Sequence, residues 1–465
     1  MSYEADVKSE VEDYSISDLN PAIDYKNCSW VKTAGLLFSE YICLAIMSFP
    51  WSYSVLGFVP GLILTAFISL TVLYTGLIIT DYCIANPHVT SVCDIGQKLF
   101  WNSRIVWYLT AACFLCNNTL IQALHVLVGA KYFNTISDNY DTSGGQKVCS
   151  IVFAVVSMII CFIISLPRTF SHMSSVGYFS AGTMFIAVIL AMVFAGIQDH
   201  PYGYTGDPVK YHLWPQKGTT YVQGMSALLN IVYTFVGQIT YPSFISQMKK
   251  PRDFKKALYI VTLAELIVFA LTGSIVYVYV GNEYMVAPAF GSLTGNYKKI
   301  AFSFALPTIV FLGGLYSNVS SQFLFLKIFS EKSVNRTQHT LLGWATWIGL
   351  NLGLWVIAFI VAEVIPFFSD LLSLMSSLFD CWFGFVFWGA AYFKLKSAKT
   401  PNFRFWPHFK QAPLFEKLEM LTNVALILIG FYIFGPGTYA TVDSIILSYQ
   451  SGLYGKPFTC TSNAI

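Results

Sequence analysis

The residues of this sequence that can do chemistry lie inside apolar runs. Cys43-Leu44-Ala45-Ile46-Met47-Ser48-Phe49-Pro50 places a proline and small residues in the middle of a hydrophobic stretch. Pro50 removes an amide donor and clashes with the preceding turn, so a continuous helix is disfavoured there. Proline suits the first turn of a new helix, and Ser48 is placed to cap it. Phe235-Val236-Gly237-Gln238-Ile239-Thr240-Tyr241-Pro242 repeats the arrangement. The half-helix beginning after Ser48 offers amides and a positive dipole end to a carboxylate. Carbonyls freed near Phe235 and Val236 can accept from an ammonium, and a zwitterion satisfies both ends at once. Cys43, Ala45, Ile46, Met47 and Ser48, with Phe235, Val236, Gly237 and Gln238, are therefore candidate substrate-binding residues. Two ordinary proline kinks are the plainer alternative.

An ion in a membrane span costs several kcal/mol, which makes each buried acid a functional candidate by default. Glu40 stands just before the first break and Glu265 in a later run; these two are the candidate proton-coupling groups. Glu363 and Asp370 fall near the end of a run, where solvation explains them, while Asp380 falls within one. His125 reads as a proton relay or as a structural histidine bonded to a neighbouring helix. Asn117, Asn118, Thr119 and Gln122 form a polar cluster in which Asn118 and Gln122, four apart, share a helix face. Ser317, Asn318, Ser320 and Ser321 form another, suited to a coupling ion or the substrate amine. Asn118, Gln122 and Asn318 join the substrate-binding candidates; hydrogen bonds between helices are the competing reading.

The elements that must position these groups follow from composition. Of 465 residues 55% are hydrophobic and 11% charged, with mean hydropathy +0.59, where a soluble domain carries about 25% charged residues. A soluble fold is excluded, and the chain reads as an all-α polytopic membrane protein. Eleven apolar runs approach the ~20 residues that cross a bilayer: 33–57, 58–84, 105–128, 147–165, 173–197, 221–248, 253–280, 301–326, 339–361, 366–392 and 418–449. The two broken runs are five apart, which points to inverted repeats, 33–197 and 221–392, around a central site. Residues 418–449 add a further span to this 33–449 transmembrane domain. With the N-terminus in the cytoplasm, only Lys131, Lys147, Lys210, Lys217, Lys298, Lys299 and Lys456 of the 27 Lys and Arg fall outside. That asymmetry favours a cytoplasmic N-terminus and an extracellular C-terminus. The first span is expected to act as its own insertion signal. Residues 1–32 read as a disordered cytoplasmic tail and 450–465 as an extracellular one. The sequons at Asn27, Asn117, Asn318 and Asn335 are all expected to be unglycosylated.

Ten cysteines show no metal-binding spacing beyond the lone pair Cys113 and Cys116. Only Cys149 and Cys460 fall on the outer side, so a disulfide between them is expected, with two unpaired thiols as the alternative. A net charge of +3 without a basic, aromatic-interleaved run argues against nucleic-acid binding. No HExxH, GxSxG or P-loop spacing is present, which argues against a membrane enzyme; no cofactor or metal is expected.

Asn230 to Gln238, then Tyr241-Pro242-Ser243-Phe244-Ile245, then Met248-Lys249-Lys250-Pro251-Arg252-Asp253-Phe254-Lys255-Lys256-Ala257-Leu258, resemble the amino acid/auxin permease family. Within it, the chain is most similar to the fungal neutral amino acid permeases. Glu40 to Pro50, Ala362 to Phe368 and Gly435 to Ala440 resemble the same subgroup, so the resemblance covers nearly everything after residue 30. It implies eleven spans in a LeuT-like fold and proton-coupled import of neutral amino acids, aromatic or aliphatic, at the plasma membrane, with the vacuolar membrane as the alternative. Cys43 and Ala45 stand where the family often has smaller residues, narrowing the space for a substrate backbone. Gln238 stands where it often has histidine, leaving proton coupling to rest more heavily on Glu40. Tyr233, Phe235 and the third span are expected to shape a side-chain pocket. A nutrient sensor that keeps the site and signals through its N-terminal tail, with little or no flux, is the alternative function.

Overall fold

A chain without water to solvate its backbone must pair every amide internally, and this one does so with helices. The structure, a computed structural model, describes residues 28–89, 91–139, 147–168, 173–330, 333–451 and 457–460. It opens with α1 (Trp30–Tyr41), a 3-10 turn (Leu44–Ser48), α2 (Phe49–Leu56) and α3 (Phe58–Ala85). A short α4 (Val92–Leu99) precedes α5 (Arg104–Ile136), α6 (Ser150–Ser165) and α7 (Met173–Ile197). The chain continues through α8 (Tyr221–Phe235), α9 (Tyr241–Gln247), α10 (Phe254–Val280), α11 (Gly295–Ile328), α12 (Val334–Thr337) and α13 (Leu341–Val364). It closes with α14 (Phe368–Lys399), α15 (Phe405–Gln411) and α16 (Leu414–Gln450). Ser376–Val386 of α14 and Ile433–Gly437 of α16 are π-helical, the latter around Pro436.

Among the described residues, eight helices are long and apolar enough to cross a bilayer unaided, and α1 with Leu44–Leu56, bent by 44°, makes a ninth. The spans expected at 147–165 and 221–248 fall on α6, with 16 residues, and on α8 and α9, with 15 and 7. Neither reaches the ~20 residues of a straight span. In the second case the reason is the unwound stretch between Phe235 and Tyr241, which divides one apolar run into two short helices.

Around the breaks, α10 packs on α1, α2 and α3, α11 on α5, α6, α7 and α13, and α8 on α2, α14 and α16. Buried hydroxyls in α3 are satisfied locally: Thr65 donates to the Gly61 carbonyl at 2.8 Å and Thr80 to that of Gly76 at 2.8 Å. Glycines let rings enter. The Tyr53 ring occupies a slot between Gly61 and Gly273, where added Cβ atoms would meet it at 2.6 and 2.9 Å, and its hydroxyl contacts Thr65 Oγ1 at 2.8 Å. Gly273→Val is expected to displace the ring and destabilise the fold by about 1–3 kcal/mol. Thermal unfolding in detergent checks this: an unchanged midpoint would contradict the packing account.

Residues 28–32, assigned above to the N-terminal tail, are ordered against the rest of the chain. Ser29 caps α1 by accepting from the Lys32 amide at 3.3 Å, and Cys28 pairs its backbone with Gln247 and Lys249 at 3.1 and 3.0 Å. Residues 28–32 are thus fixed by a cap and a bridge; 1–27, including Asn27, lie outside the described residues, as do 452–456 and 461–465 of the C-terminal tail. A disulfide joins Cys149, at the start of α6, to Cys460. A protease site inserted beside the exposed Gly206 provides the check. After cleavage, the halves should migrate together on a non-reducing gel and separate on reduction; separation without reductant would refute the link.

Candidate functional site

The first break begins where α1 ends at Tyr41. Ile42 and Cys43 leave helical geometry, and the chain resumes at Leu44 as a 3-10 turn that leads into α2. This corrects the capping role expected of Ser48. The new helix has already started four residues earlier, so Ser48 sits inside it and donates to the Ala45 carbonyl at 2.7 Å instead of receiving an amide. The orphan amides of this half-helix are those of its first residues, near Leu44 and Ala45. Leu44 through Ser48 are all fully buried.

The second break spans 236–240. Val236 still bonds back to Val232 at 3.1 Å, and Thr240 closes the loop by donating its amide to the Gly237 carbonyl at 3.1 Å. Gly237 is required by proximity: a Cβ there would lie 2.6 Å from Cζ of Tyr41. The Tyr41 hydroxyl in turn meets that of Tyr241 at 2.6 Å, tying the end of α1 to the start of α9.

Glu40 joins the two breaks. Its Oε2 accepts from Thr240 Oγ1 at 3.1 Å and its Oε1 from the Tyr316 hydroxyl of α11 at 3.3 Å. Thr240 Oγ1 also lies 2.8 Å from the Gly237 carbonyl, so its single proton serves either the carboxyl or the unwound backbone. Beside Glu40 opens a cavity lined by Tyr41, Cys43, Asn117, Ile121, Tyr233, Thr234, Val236, Gly237, Ile239, Tyr316, Asp380 and Phe383.

Of the substrate-binding and proton-coupling candidates, the structure brings Glu40, Cys43, Val236 and Gly237 to this cavity, together with Asn117 of the polar cluster, Tyr233 of the expected side-chain pocket and the acid Asp380, and places the others elsewhere. Ala45, Ile46, Met47 and Ser48 are packed behind the break. Phe235 turns away into an aromatic cluster, 6.0 Å from Phe49 and 5.0 Å from Phe269 between ring centroids. Gln238 donates to Thr75 Oγ1 on α3 at 3.1 Å. Helix α5 presents Asn117 and Ile121, not the Asn118 and Gln122 face. Asn118 bonds Ser320 of α11 at 3.1 Å, and Gln122 is buried with both amide atoms lacking a partner. Asn318 reaches the Ser165 carbonyl at 3.2 Å, serving helix packing. Glu265 is buried on α10 outside the lining, with Oε1 unpartnered, yet within electrostatic reach of Glu40, Tyr41 and Tyr241.

Other acids depart from expectation as well. Asp370 is not solvated: it is buried and accepts from Ser444 at 2.7 Å and Ser448 at 3.1 Å, locking α14 to α16. Glu363 is buried too, beside the Phe458 backbone that the disulfide holds nearby. His125 packs against Gly313, away from the cavity, with Nδ1 lacking a partner. Tyr316 and Thr240 escaped sequence reasoning. Tyr316 adjoins the polar patch 317–321, and Thr240 stands inside the second break; position relative to those features was the available signal.

A sequence profile described as transmembrane amino acid transporter protein matches residues 26–438. A Neurospora crassa protein named N amino acid transport system protein is 32% identical over 441 residues, 94% of this chain and 89% of that relative. Proteins of Gibberella moniliformis and Fusarium pseudograminearum, each named transmembrane transporter, are 27% and 26% identical over 95% of this chain and 89% of theirs.

Proposed function

This chain belongs to the transmembrane amino acid transporter family, and from that premise we propose that it imports neutral amino acids, aromatic or aliphatic, in symport with protons. It is a membrane transporter and not an enzyme. The observation that carries the finer reading is the position of Glu40, at the end of one broken helix, hydrogen-bonded into the other, beside a cavity between them.

As a carboxylate, Glu40 draws the Thr240 proton and accepts from Tyr316. Protonated, it keeps one full acceptor fewer, and the Thr240 hydroxyl is released to the Gly237 carbonyl. A hydrogen bond to a charged group is worth about 1.5–3 kcal/mol, enough to move a two-state ratio by about ten- to a hundredfold. Proton binding thus acts on the contact that holds the two breaks together, which is where an alternating-access cycle must bend. Glu265, coupled electrostatically to Glu40, is the second acid of this reading. The corresponding breaks support two inverted repeats, 33–197 and 221–392, with α16 outside them. The Lys and Arg distribution supports a cytoplasmic N-terminus and a C-terminus on the opposite side; residence in the plasma membrane rests on the family membership alone.

The test is uptake of neutral, acidic and basic amino acids into proteoliposomes with and without an inward-directed proton gradient. Gradient-driven accumulation of neutral amino acids alone supports the proposal. Uptake indifferent to the gradient removes proton coupling but leaves transport standing; binding without flux replaces transport by sensing.

A further inference from the structure

We propose that Asp380 is the counter-ion of the substrate's α-ammonium, and hence a specificity-determining residue of the central cavity. This rests on the transporter reading above and adds the group that recognises the cargo's positive end.

The cavity has two carboxyl groups, and they are in different conditions. Glu40 has both oxygens engaged, by Thr240 and by Tyr316. Asp380 is 5% exposed, lines the same cavity, and its Oδ2 has no hydrogen-bond partner. Asn117 Oδ1, on α5, is a second buried acceptor lacking a partner on the cavity wall. Among the described residues no Lys, Arg or His lines this space. A buried carboxylate without a cation is strongly disfavoured, and buried polar atoms left unpaired in a native fold call for an explanation. A cargo that brings its own ammonium supplies it.

The local backbone supports the same assignment. Asp380 lies in the π-helical stretch Ser376–Val386, the kind of local widening that recurs at functional sites. About one turn on, Gly384 lies so close to Val236 that a Cβ would be 3.0 Å from its Cγ2. Asp380 therefore stands on the wall that packs against the end of α8, where carbonyls leave the helix and the dipole is negative. An ammonium placed there meets a carboxylate and backbone carbonyls together.

The experiment uses the full chain in proteoliposomes and competition against counterflow of a labelled neutral amino acid. Competitors are phenylalanine with phenyllactate, and leucine with leucic acid, pairs that differ only in carrying an ammonium or a hydroxyl. Asp380→Asn is expected to weaken inhibition by the amino acids about ten- to a hundredfold while leaving the hydroxy acids little changed, so the preference within each pair collapses. Asp380→Glu should retain much of that preference. Because the preference is a ratio measured within one variant, a smaller folded fraction does not imitate the result. Should Asp380→Asn fail to fold, Asn117→Ala, which removes the other unpartnered acceptor, should lower the same ratio. An unchanged ratio in Asp380→Asn overturns the assignment, and so does loss of gradient-driven accumulation with the ratio intact. A wild type that neither binds nor carries any amino acid would instead remove the transporter reading itself.

Discussion

Glu40→Gln is expected to abolish concentrative uptake while leaving exchange in place. The substitution preserves the size of the side chain and one acceptor oxygen, so the contact with either Thr240 or Tyr316 survives, and the cavity keeps its wall. The proton site is lost. A group that cannot titrate leaves the tie between the breaks in one state at every pH, and the cycle no longer moves a proton with its cargo. One pH unit is worth 1.36 kcal/mol, so each coupled proton supports up to about tenfold accumulation in the wild type. In the variant, accumulation should fall to about unity, with counterflow of labelled substrate against excess unlabelled substrate still measurable. Accumulation preserved in Glu40→Gln would remove Glu40 from coupling and turn attention to Glu265, the other buried acid within its electrostatic reach.

Gly237→Ala should stop transport by steric means alone. The added Cβ would lie 2.6 Å from Cζ and 3.0 Å from Cε1 of Tyr41, and the ring can yield only by breaking its hydroxyl contact with Tyr241 and moving into the cavity it lines. Overpacking of this kind costs about 1–3 kcal/mol, and here it falls on the backbone that must reshape between states, so flux is expected to drop at least about tenfold. Gly237 has no left-handed backbone conformation to protect, so space is the only objection to a side chain. Tyr41→Leu removes the ring atoms that the new Cβ would meet. The double variant should therefore recover part of the flux lost in Gly237→Ala, a coupling that a double-mutant cycle measures directly. Strict additivity of the two losses would contradict the packing account.

Much of the architecture was legible because its causes are local. Apolar runs long enough to cross hydrocarbon identify membrane helices whatever surrounds them, and Pro242, at the start of α9, borders the second interruption as a missing amide and ring clash require, whereas the first break falls at Ile42–Cys43 and Pro50 lies within the helical stretch that follows it. The rarity of acids in such runs singles out Glu40 by the same reasoning. Rotation about a helix axis has no such local cause. Helix α5 carries polar groups on adjoining faces, and the Asn118–Gln122 stripe turns toward α11 while Asn117 looks into the cavity; neighbours α11 and α13 fix that rotation. The fine geometry of the first break escaped for a related reason. Ser48 has the chemistry of a cap, but the start of the helix is set at Leu44 by how the chain packs on α8 and α10, and a serine four residues inside can only bond backward.

What this sequence determined by itself was a bundle of membrane helices, two of them interrupted, with an acid beside the first interruption, because hydrophobicity and backbone chemistry act within a few residues of one another. Only the tertiary structure decided that Thr240 and Tyr316 hold that acid, that Asp380 rather than Gln122 faces the cavity, and that Phe235 belongs to the core. Those contacts join residues separated by up to 276 positions, and their partners are selected by the rotation and depth at which whole helices pack, a property of the assembled bundle that no single segment carries.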